Sequence, residues 1–220
     1  MQRPPLLLIA AALLMPALAP AAPDADETRR LHALFERTRD ESARYIPEWA
    51  TFRGDRRYDD RFSDASPTGI AALDAWGART LAEARAIRRD ALAPVDRVSL
   101  DMFIERAERQ EAMRAFEGHR RQSINSSWGF QSRLAGLLRA MTIDSVPRAE
   151  QVLARLAAWP ARTDQEIERV RGAIPLGWVP SRPVLERALQ QLDGQLAAVP
   201  REGPYFEPFR HLPAAMPPAE

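Results

Sequence analysis

The stretch Pro67–Ala91, PTGIAALDAWGARTLAEARAIRRDA, indicates the class of fold. Its apolar side chains recur every three or four residues, a spacing that places them on one side of an α-helix. They are Ile70, Leu73, Trp76, Leu81, Ala84 and Ile87. Ser66 precedes the stretch as an N-cap, and Pro67 occupies the first helical position, where a proline loses no hydrogen bond. A long amphipathic helix is therefore predicted from Pro67.

The same helical spacing recurs on both sides of this stretch. The predicted helices cover Asp24–Tyr45, Pro67–Ala91, Val95–Gln122, Gln131–Met141, Ser145 to about Ile174 with a kink or split at Pro160, and Ser181–Ala197. No run of four or more residues alternates convincingly between apolar and polar types, and β-branched residues are sparse. The predicted fold is all-α, a multi-helix array of amphipathic helices with proline-punctuated loops.

The last two predicted helices have distinct apolar patterns. After Pro160, Ile167 and Val170 are expected to point inward. Ser181–Ala197 has the cleanest amphipathic pattern of the chain. Its apolar positions are Val184, Leu185, Ala188, Leu189, Leu192 and Leu196.

The five tryptophans are predicted to divide into two groups. Trp76 and Trp159 lie on apolar helix faces and are expected in the core. Trp49, Trp128 and Trp178 lie in or beside loops, where an aromatic ring can line a binding cleft or plug a gap between helices. We favour the plug over the cleft for these three.

The first 21 residues have the pattern of a secretion signal. Arg3 is a positive start, Leu6–Met15 is apolar, and Ala19-Pro20-Ala21 is a cleavage site of small residues. The apolar run is half of the roughly 20 residues that span a bilayer, so we predict export to the periplasm or the extracellular medium with no membrane contact after cleavage. One helical domain would cover residues 22–213, and residues 214–220 are expected to be a frayed tail.

The composition excludes several classes of function. The chain has no cysteine, which removes disulfides, thiol catalysis and zinc sites built on thiolates. Its formal net charge is +1, and no concentrated basic face is evident, which argues against a nucleic-acid partner.

The most unusual segment is Pro47–Pro67, PEWATFRGDRRYDDRFSDASP, which has no helical period of its own. Arginines and aspartates are interleaved in it, and such charges are hard to bury unless they pair. A calcium loop of the EF-hand type needs glycine at the sixth and glutamate at the twelfth position, and this segment has neither. We therefore predict a network of Arg–Asp pairs, with Gly54 turning the backbone.

The three histidines do not form a metal motif. His32, His119 and His211 lie on separate elements, whereas a helical zinc site places two histidines four residues apart with a glutamate between them. Surface or capping roles are the expected ones, and no catalytic or metal-binding residue is assigned to this chain.

The charged segment also carries a family resemblance. The motif P-E-x-A-T from Pro47, followed by GDRRYDDRFSDASP, resembles the N-terminal part of the secreted bacterial DUF885 proteins. The resemblance continues through DRVSLDMF at 96–103, GWVPSRPVLERALQQL at 177–192 and YFEPFRHLP at 205–213. These motifs are fairly specific as a set and weak one by one.

The resemblance implies an activity that this sequence does not itself carry. DUF885 proteins resemble zinc metallopeptidases of the gluzincin type, with an HExxH helix in the C-terminal half, and no HExxH occurs in these 220 residues. The implied zinc, the peptide substrate and the catalytic half as partner would therefore belong to a longer protein. Two loops would face that half or its substrate. Their residues are Tyr58, Asp60, Arg61, Asp64, Asn125 and Trp128.

Two alternatives stay open beside this hypothesis. The chain could be a self-sufficient periplasmic binding or scaffold module, which should have no large exposed apolar patch. It could also be an enzyme with a carboxylate pair that the sequence does not single out. An N-terminal portion separated from its catalytic half should instead expose an apolar face, and should be inactive alone.

Overall fold

The computed structural model describes residues 22–210 and Leu212. The predicted signal segment 1–21 and the predicted tail 214–220 lie outside the described residues. The part of the chain that is described contains eight α-helices and four short 3₁₀ helices, and no strand. The prediction of an all-α fold is confirmed.

The helices follow one another with short connections. The α-helices are α1 Ala25–Tyr45, α2 Pro47–Phe52, α3 Pro67–Arg85, α4 Pro94–Ala112, α5 Glu117–Arg121, α6 Phe130–Arg139, α7 Val146–Ala173 and α8 Arg182–Ala197. The 3₁₀ helices are Arg89–Ala91, Met113–Ala115, Ile174–Leu176 and Pro204–Phe209. The charged segment Pro47–Pro67 thus begins with a short helix, α2. This helix was not predicted, because the segment has no helical spacing of apolar residues.

Helix α3 begins as predicted and ends early. Ser66 caps it by accepting a hydrogen bond from the Gly69 N–H at 3.1 Å. The helix ends at Arg85 rather than Ala91. The reason lies in two nearby contacts: Ile87 turns into the core, and the Arg88 N–H donates to Glu27 Oε2 at 3.0 Å instead of continuing the helix.

The predicted long helix 95–122 is divided, and that prediction is wrong. It ends at Ala112, passes through a 3₁₀ turn and resumes as α5. Around this break two arginines converge on Asp74 of α3: Arg114 donates to the Asp74 carbonyl at 2.6 Å, and Arg120 donates to its carboxylate at 2.8 Å. The helix is therefore interrupted at the point where Arg114 and Arg120 form these two long-range hydrogen bonds to Asp74.

Helix α7 continues through Pro160 as one helix of 28 residues, so the predicted split does not occur. Proline removes one backbone donor from the helix. Packing on the preceding turn stabilises the helix at this point: the Trp159 ring stacks on Phe130 with centroids 4.5 Å apart, and Thr163 Oγ1 donates to the Trp159 carbonyl at 2.9 Å.

Two clusters of buried side chains form the core. The first joins α1, α3 and α4 through Leu31, Leu34, Ala84, Ile87, Leu92 and Leu100. The second joins α6 and α7 through Leu134, Leu138, Met141, Ile143 and Val152. Trp159 packs against the second cluster as predicted. Trp76 is half-buried, stacks on Tyr45 and donates through Nε1 to Glu41 at 2.6 Å.

Of the two side chains predicted to point inward after Pro160, Ile167 does not. Ile167 on α7 is exposed, whereas Val170 is half-buried. On α8 only Ala188 is buried, although the apolar pattern is intact. The helix packs on α6, and its four leucines remain between 39% and 84% exposed.

Candidate functional site

The charged segment is held in place by one buried arginine. Arg155 of α7 is fully buried and extends its guanidinium into the segment. It donates to the carbonyl of Tyr58 at 2.8 Å, to the carbonyl of Arg61 at 2.9 Å and to Thr51 Oγ1 at 2.9 Å. One side chain thereby satisfies the backbone of a loop that lies about a hundred positions away in sequence.

A buried carboxylate accompanies this arginine. Asp59 is 3% exposed, accepts from Thr51 Oγ1 at 2.5 Å and lies 3.6 Å from Arg155 Nη1. Burial lowers the pKa of Arg155, and the nearby carboxylates of Asp59, Glu48 and Asp60 oppose that shift. Arginine stays charged across the physiological range, and the Asp59 carboxylate lies within ion-pair distance of it.

The exposed charges of the segment pair with one another and with their surroundings. Three arginines each meet at least one aspartate at 3.0 Å or less: Arg56 with Asp144, Arg57 with Asp55 and Asp40, and Arg61 with Asp60. The predicted Arg–Asp network is confirmed. Because these charges are already paired, their unusual density does not by itself require an external partner.

Three of the predicted site residues, Tyr58, Asp60 and Arg61, lie in or beside this network. Tyr58 accepts a hydrogen bond from Arg44 Nε at 3.0 Å, and its ring lies 5.7 Å from the guanidinium carbons of Arg57 and Arg61. The Asp60 carboxylate accepts both the Nε and Nη2 hydrogens of Arg61, at 2.8 and 2.6 Å, and this bond lowers the pKa of Asp60. These side chains form a charged, hydrogen-bonded surface.

Asp64 fastens the end of the segment to α7. Its Oδ1 accepts from the Ser66 N–H at 2.9 Å and from Gln165 Nε2 at 3.0 Å. The Ala65 N–H in turn donates to Gln165 Oε1 at 2.9 Å. Hydrogen bonds from Ser66, and more weakly from Gln165, lower the pKa of Asp64 against the opposing effect of burial.

This arrangement predicts a pH dependence. Because the folded-state pKa of Asp64 lies below the usual 3.8, its contribution to stability is complete above that value and is lost as the pH falls through the lower one. Asp64→Asn should therefore lose stability less steeply than the wild type between about pH 5 and pH 3, by up to about one proton in the slope. Urea unfolding at both pH values measures this, and equal slopes would contradict it.

The other two predicted residues lie in the second loop, 123–129, beside α6 and α8. Asn125 Oδ1 accepts from the N–H groups of Ser127 and Trp128 at 3.0 and 2.6 Å, which closes the turn. Gln191 of α8 donates to the Ser126 carbonyl at 3.2 Å. The Trp128 side chain is 85% exposed, so the prediction that it plugs a gap between helices is wrong. Trp49 is also largely exposed.

The structure therefore divides the six predicted residues into two groups with different neighbours. The first group rests on α7, and the second rests on α6 and α8. Next to the first group lies an open depression of about 810 Å³, lined by Gly54, Arg56, Asp60, Ser145, Arg148 and Gln151 among others. Acids and bases alternate around it, and it offers no nucleophile next to a histidine.

The described residues contain no group of three or more His, Asp or Glu side chains that could hold a metal ion. His32 lies 3.1 Å from Asp96 on the surface, in keeping with the expected surface role. The side chain of His119 and residue 211 lie outside the described residues. No helix in the described part of the chain is long and apolar enough to cross a membrane.

The second loop borders the least covered apolar surface of α8. Four leucines of this helix are spaced four, three and four residues apart, which places them on one side of it. They are Leu185, Leu189, Leu192 and Leu196, and they are between 39% and 84% exposed. A single exposed leucine is ordinary, but a row along one helix marks an interaction surface. We call these four leucines the α8 stripe.

Comparison with known families now identifies the chain. The family described as "Bacterial protein of unknown function (DUF885)" matches residues 47–220, from the first residue of the charged segment. The chain belongs to the DUF885 family. A search of curated proteins gave no match. The family is bacterial, and its description assigns no activity.

Sequence reasoning on this DUF885 chain missed Arg155 and the exposure of the α8 stripe. A signal for Arg155 was present, because it follows Val152 by three residues and precedes Trp159 by four, on the apolar face of the predicted helix. A charged residue on such a face indicates a buried partner elsewhere. The exposure of the α8 stripe has no signal of this kind, because an apolar face looks the same whether or not it is covered.

Proposed function

We propose that this chain is the helical N-terminal portion of an exported, zinc-dependent peptidase of the DUF885 family, and that the α8 stripe docks a further, metal-binding portion of the protein. In this proposal the chain walls one side of a peptide-binding cleft and has no activity alone. The zinc ligands and the catalytic base would come from outside the described residues, which offer no suitable donor set.

The observation that carries the proposal is the exposure of the α8 stripe. Burying four leucines would be favourable, and α8 leaves between 39% and 84% of each one exposed. Trp128 stands in the loop that α8 contacts, and Val199, two residues past the end of the helix, is also exposed. A self-sufficient module was expected to lack such a surface, so the stripe favours the proposal over that alternative.

The partner is argued from the family resemblance and from the composition of α8. The motif at 177–192 that resembles DUF885 proteins includes three of the four stripe residues. Helix α8 has equal numbers of positive and negative side chains. They are Arg182, Arg187, Glu186 and Asp193. The helix thus has an apolar row and no net charge. Such a surface is typical of a large hydrophobic interface within one protein, whereas binding of a separate protein that is steered by electrostatics needs an excess of one charge.

The first test is to sequence the gene beyond codon 220 and to look for an in-frame continuation of the coding sequence. The protein from residue 22 onward is then expressed with and without that continuation. We expect an in-frame HExxH in the continuation. We also expect slower amide hydrogen exchange across residues 182–197 when the continuation is present, since docking covers the stripe. Equal exchange in both proteins would contradict the docking, and a stop codon directly after Glu220 would contradict the peptidase assignment.

A pair of matched double variants tests the surface itself. Leu189→Gln/Leu192→Gln should weaken binding of the separately expressed continuation by at least about tenfold, because two leucines lose their apolar contact. Val95→Gln/Val98→Gln alters two residues of α4 that are at least as exposed and should leave binding unchanged. Isothermal titration calorimetry measures both. Dimerisation of the wild type through α8 in light scattering would point to a second copy as the occupant instead.

A further inference from the structure

The buried face of α7 carries a second cluster of charges after Arg155. Arg162 and Glu166 are 5% and 2% exposed, and Arg169 follows at the next turn. Glu166 Oε1 accepts from Arg162 Nη2 at 2.6 Å and from Arg169 Nη1 at 2.9 Å. Two guanidinium groups thus share one carboxylate, so the three side chains together carry one excess positive charge. A further carboxylate is that of Asp64, whose pKa the charge of Arg162 helps to lower.

The cluster also has unused hydrogen-bond donors. Arg162 Nε and Nη1 and Arg169 Nε are buried and have no hydrogen-bond partner. The other buried side-chain atoms without a partner in the described residues are Ser123 Oγ and Gln131 Oε1. Ser123 and Gln131 flank Phe130, whose ring lies 5.3 Å from the Arg162 guanidinium carbon. Ser123 helps to lower the pKa of Glu166, although its Oγ makes no regular hydrogen bond.

Arg155 shows how this fold satisfies a buried arginine when no ligand is needed. Its Nε, Nη1 and Nη2 all find acceptors, two of them backbone carbonyls, and Asp59 lies nearby. Arg162 lies two turns along the same helix and has one acceptor for three nitrogens. Buried polar groups are nearly always paired, so a buried guanidinium with two unused nitrogens indicates a missing acceptor.

The electrostatics of the cluster favour a negatively charged acceptor. Burial raises the pKa of Glu166, but the charges of Arg162 and Arg169 outweigh it and hold that pKa below its usual value. Burial lowers the pKa of Arg169; the charge of Glu166 raises it, and that of Arg162 lowers it further. The Arg169 guanidinium is therefore held against desolvation and the like charge of Arg162, and an added anion would relieve both effects.

We propose that Arg162 and Arg169 form an anion site that binds a small carboxylate between α7 and the start of α6. A carboxylate matches the charge excess, and its oxygens accept charge-assisted hydrogen bonds from guanidinium groups. This site is distinct from the α8 stripe and does not depend on the docking proposed above.

Sodium formate is the probe, titrated into residues 22–220 and followed by calorimetry and thermal melting, with sodium chloride at equal ionic strength as the reference salt. At ten times the formate dissociation constant, the melting temperature should rise by about 3–6 °C above the chloride reference. No saturable effect of formate, or the same effect with chloride, would overturn the proposal.

Three variants test the residues. Arg162→Gln and Arg169→Gln each leave Glu166 with one arginine and remove the excess charge, so each should bind formate at least about tenfold more weakly. Arg171→Gln removes an exposed arginine of the same helix, paired with Glu168, and should bind formate like the wild type. Circular dichroism confirms folding before each titration. Equal formate binding by Arg162→Gln and the wild type would overturn the assignment.

Discussion

Replacing Arg155 with methionine should lower the free energy of unfolding by about 3–5 kcal/mol, because breaking a buried ion pair leaves the partner charge uncompensated. The remaining partner is Asp59, which is 3% exposed and would keep only the bond from Thr51. The Arg61 carbonyl would also lose its bond from Arg155, and the Tyr58 carbonyl would keep only the long bond from the Arg61 N–H at 3.4 Å. Urea unfolding monitored by tryptophan fluorescence measures the change.

The control is Arg171→Met on the same helix. Arg171 and Glu168 form a pair in which both side chains are 69% exposed, and such a pair contributes at most about 1 kcal/mol. Arg155→Met/Asp59→Asn should recover part of the loss, because the double variant no longer buries an unpaired charge. A loss below about 1 kcal/mol for Arg155→Met would show that the segment is held mainly by its other contacts.

Gly69→Ala should lower the free energy of unfolding by about 1–3 kcal/mol, because it forces an extra methyl group into a packed site. Gly69 lies in the first turn of α3, and a Cβ placed on it would lie 2.5 Å from the backbone carbonyl oxygen of Asp64. The Asp64 backbone cannot relieve this clash by a change of rotamer, as a flexible side chain could. The charged segment would have to move away from α3 at the residue that fastens it to Gln165.

Gly194→Ala is the matched control for this substitution. Gly194 lies within α8, and a Cβ there would meet no atom within 4 Å. Alanine favours the helix over glycine, so this variant should gain about 0.5–1 kcal/mol. The two glycine variants should therefore shift the urea midpoint in opposite directions. If Gly69→Ala is as stable as the wild type, the close approach of Asp64 is not a constraint in solution.

Features set by neighbouring residues could be predicted from the sequence. The N-cap at Ser66, the turn at Gly54 and the helical class depend on local capping, backbone freedom and apolar spacing. The Arg–Asp network was also predictable, because charges that are interleaved so densely have partners within reach. Gly54 has a φ of 80°, as expected of a glycine that turns the backbone.

Features set by distant residues could not be predicted. Helix α4 stops where Arg114 and Arg120 reach Asp74, some forty positions earlier in the chain, and periodicity carries no information about that meeting. Pro160 is tolerated because Trp159 stacks on Phe130. The candidate site was predicted as two loops, and only the structure separates them into a charged surface on α7 and an aromatic loop beside α8.

The buried charges of α7 have a consequence for the order of folding. The inner face of α7 combines the apolar residues of the second cluster with Arg155, Arg162 and Glu166. Desolvating these charged groups is unfavourable until their partners arrive, which offsets part of the gain from early hydrophobic collapse. For Arg155 those partners come from residues 51–61, so a loop of about a hundred residues must close first. Folding of α7 onto the charged segment should therefore be a late, cooperative step, and half-formed states with only one of the two in place should be sparsely populated.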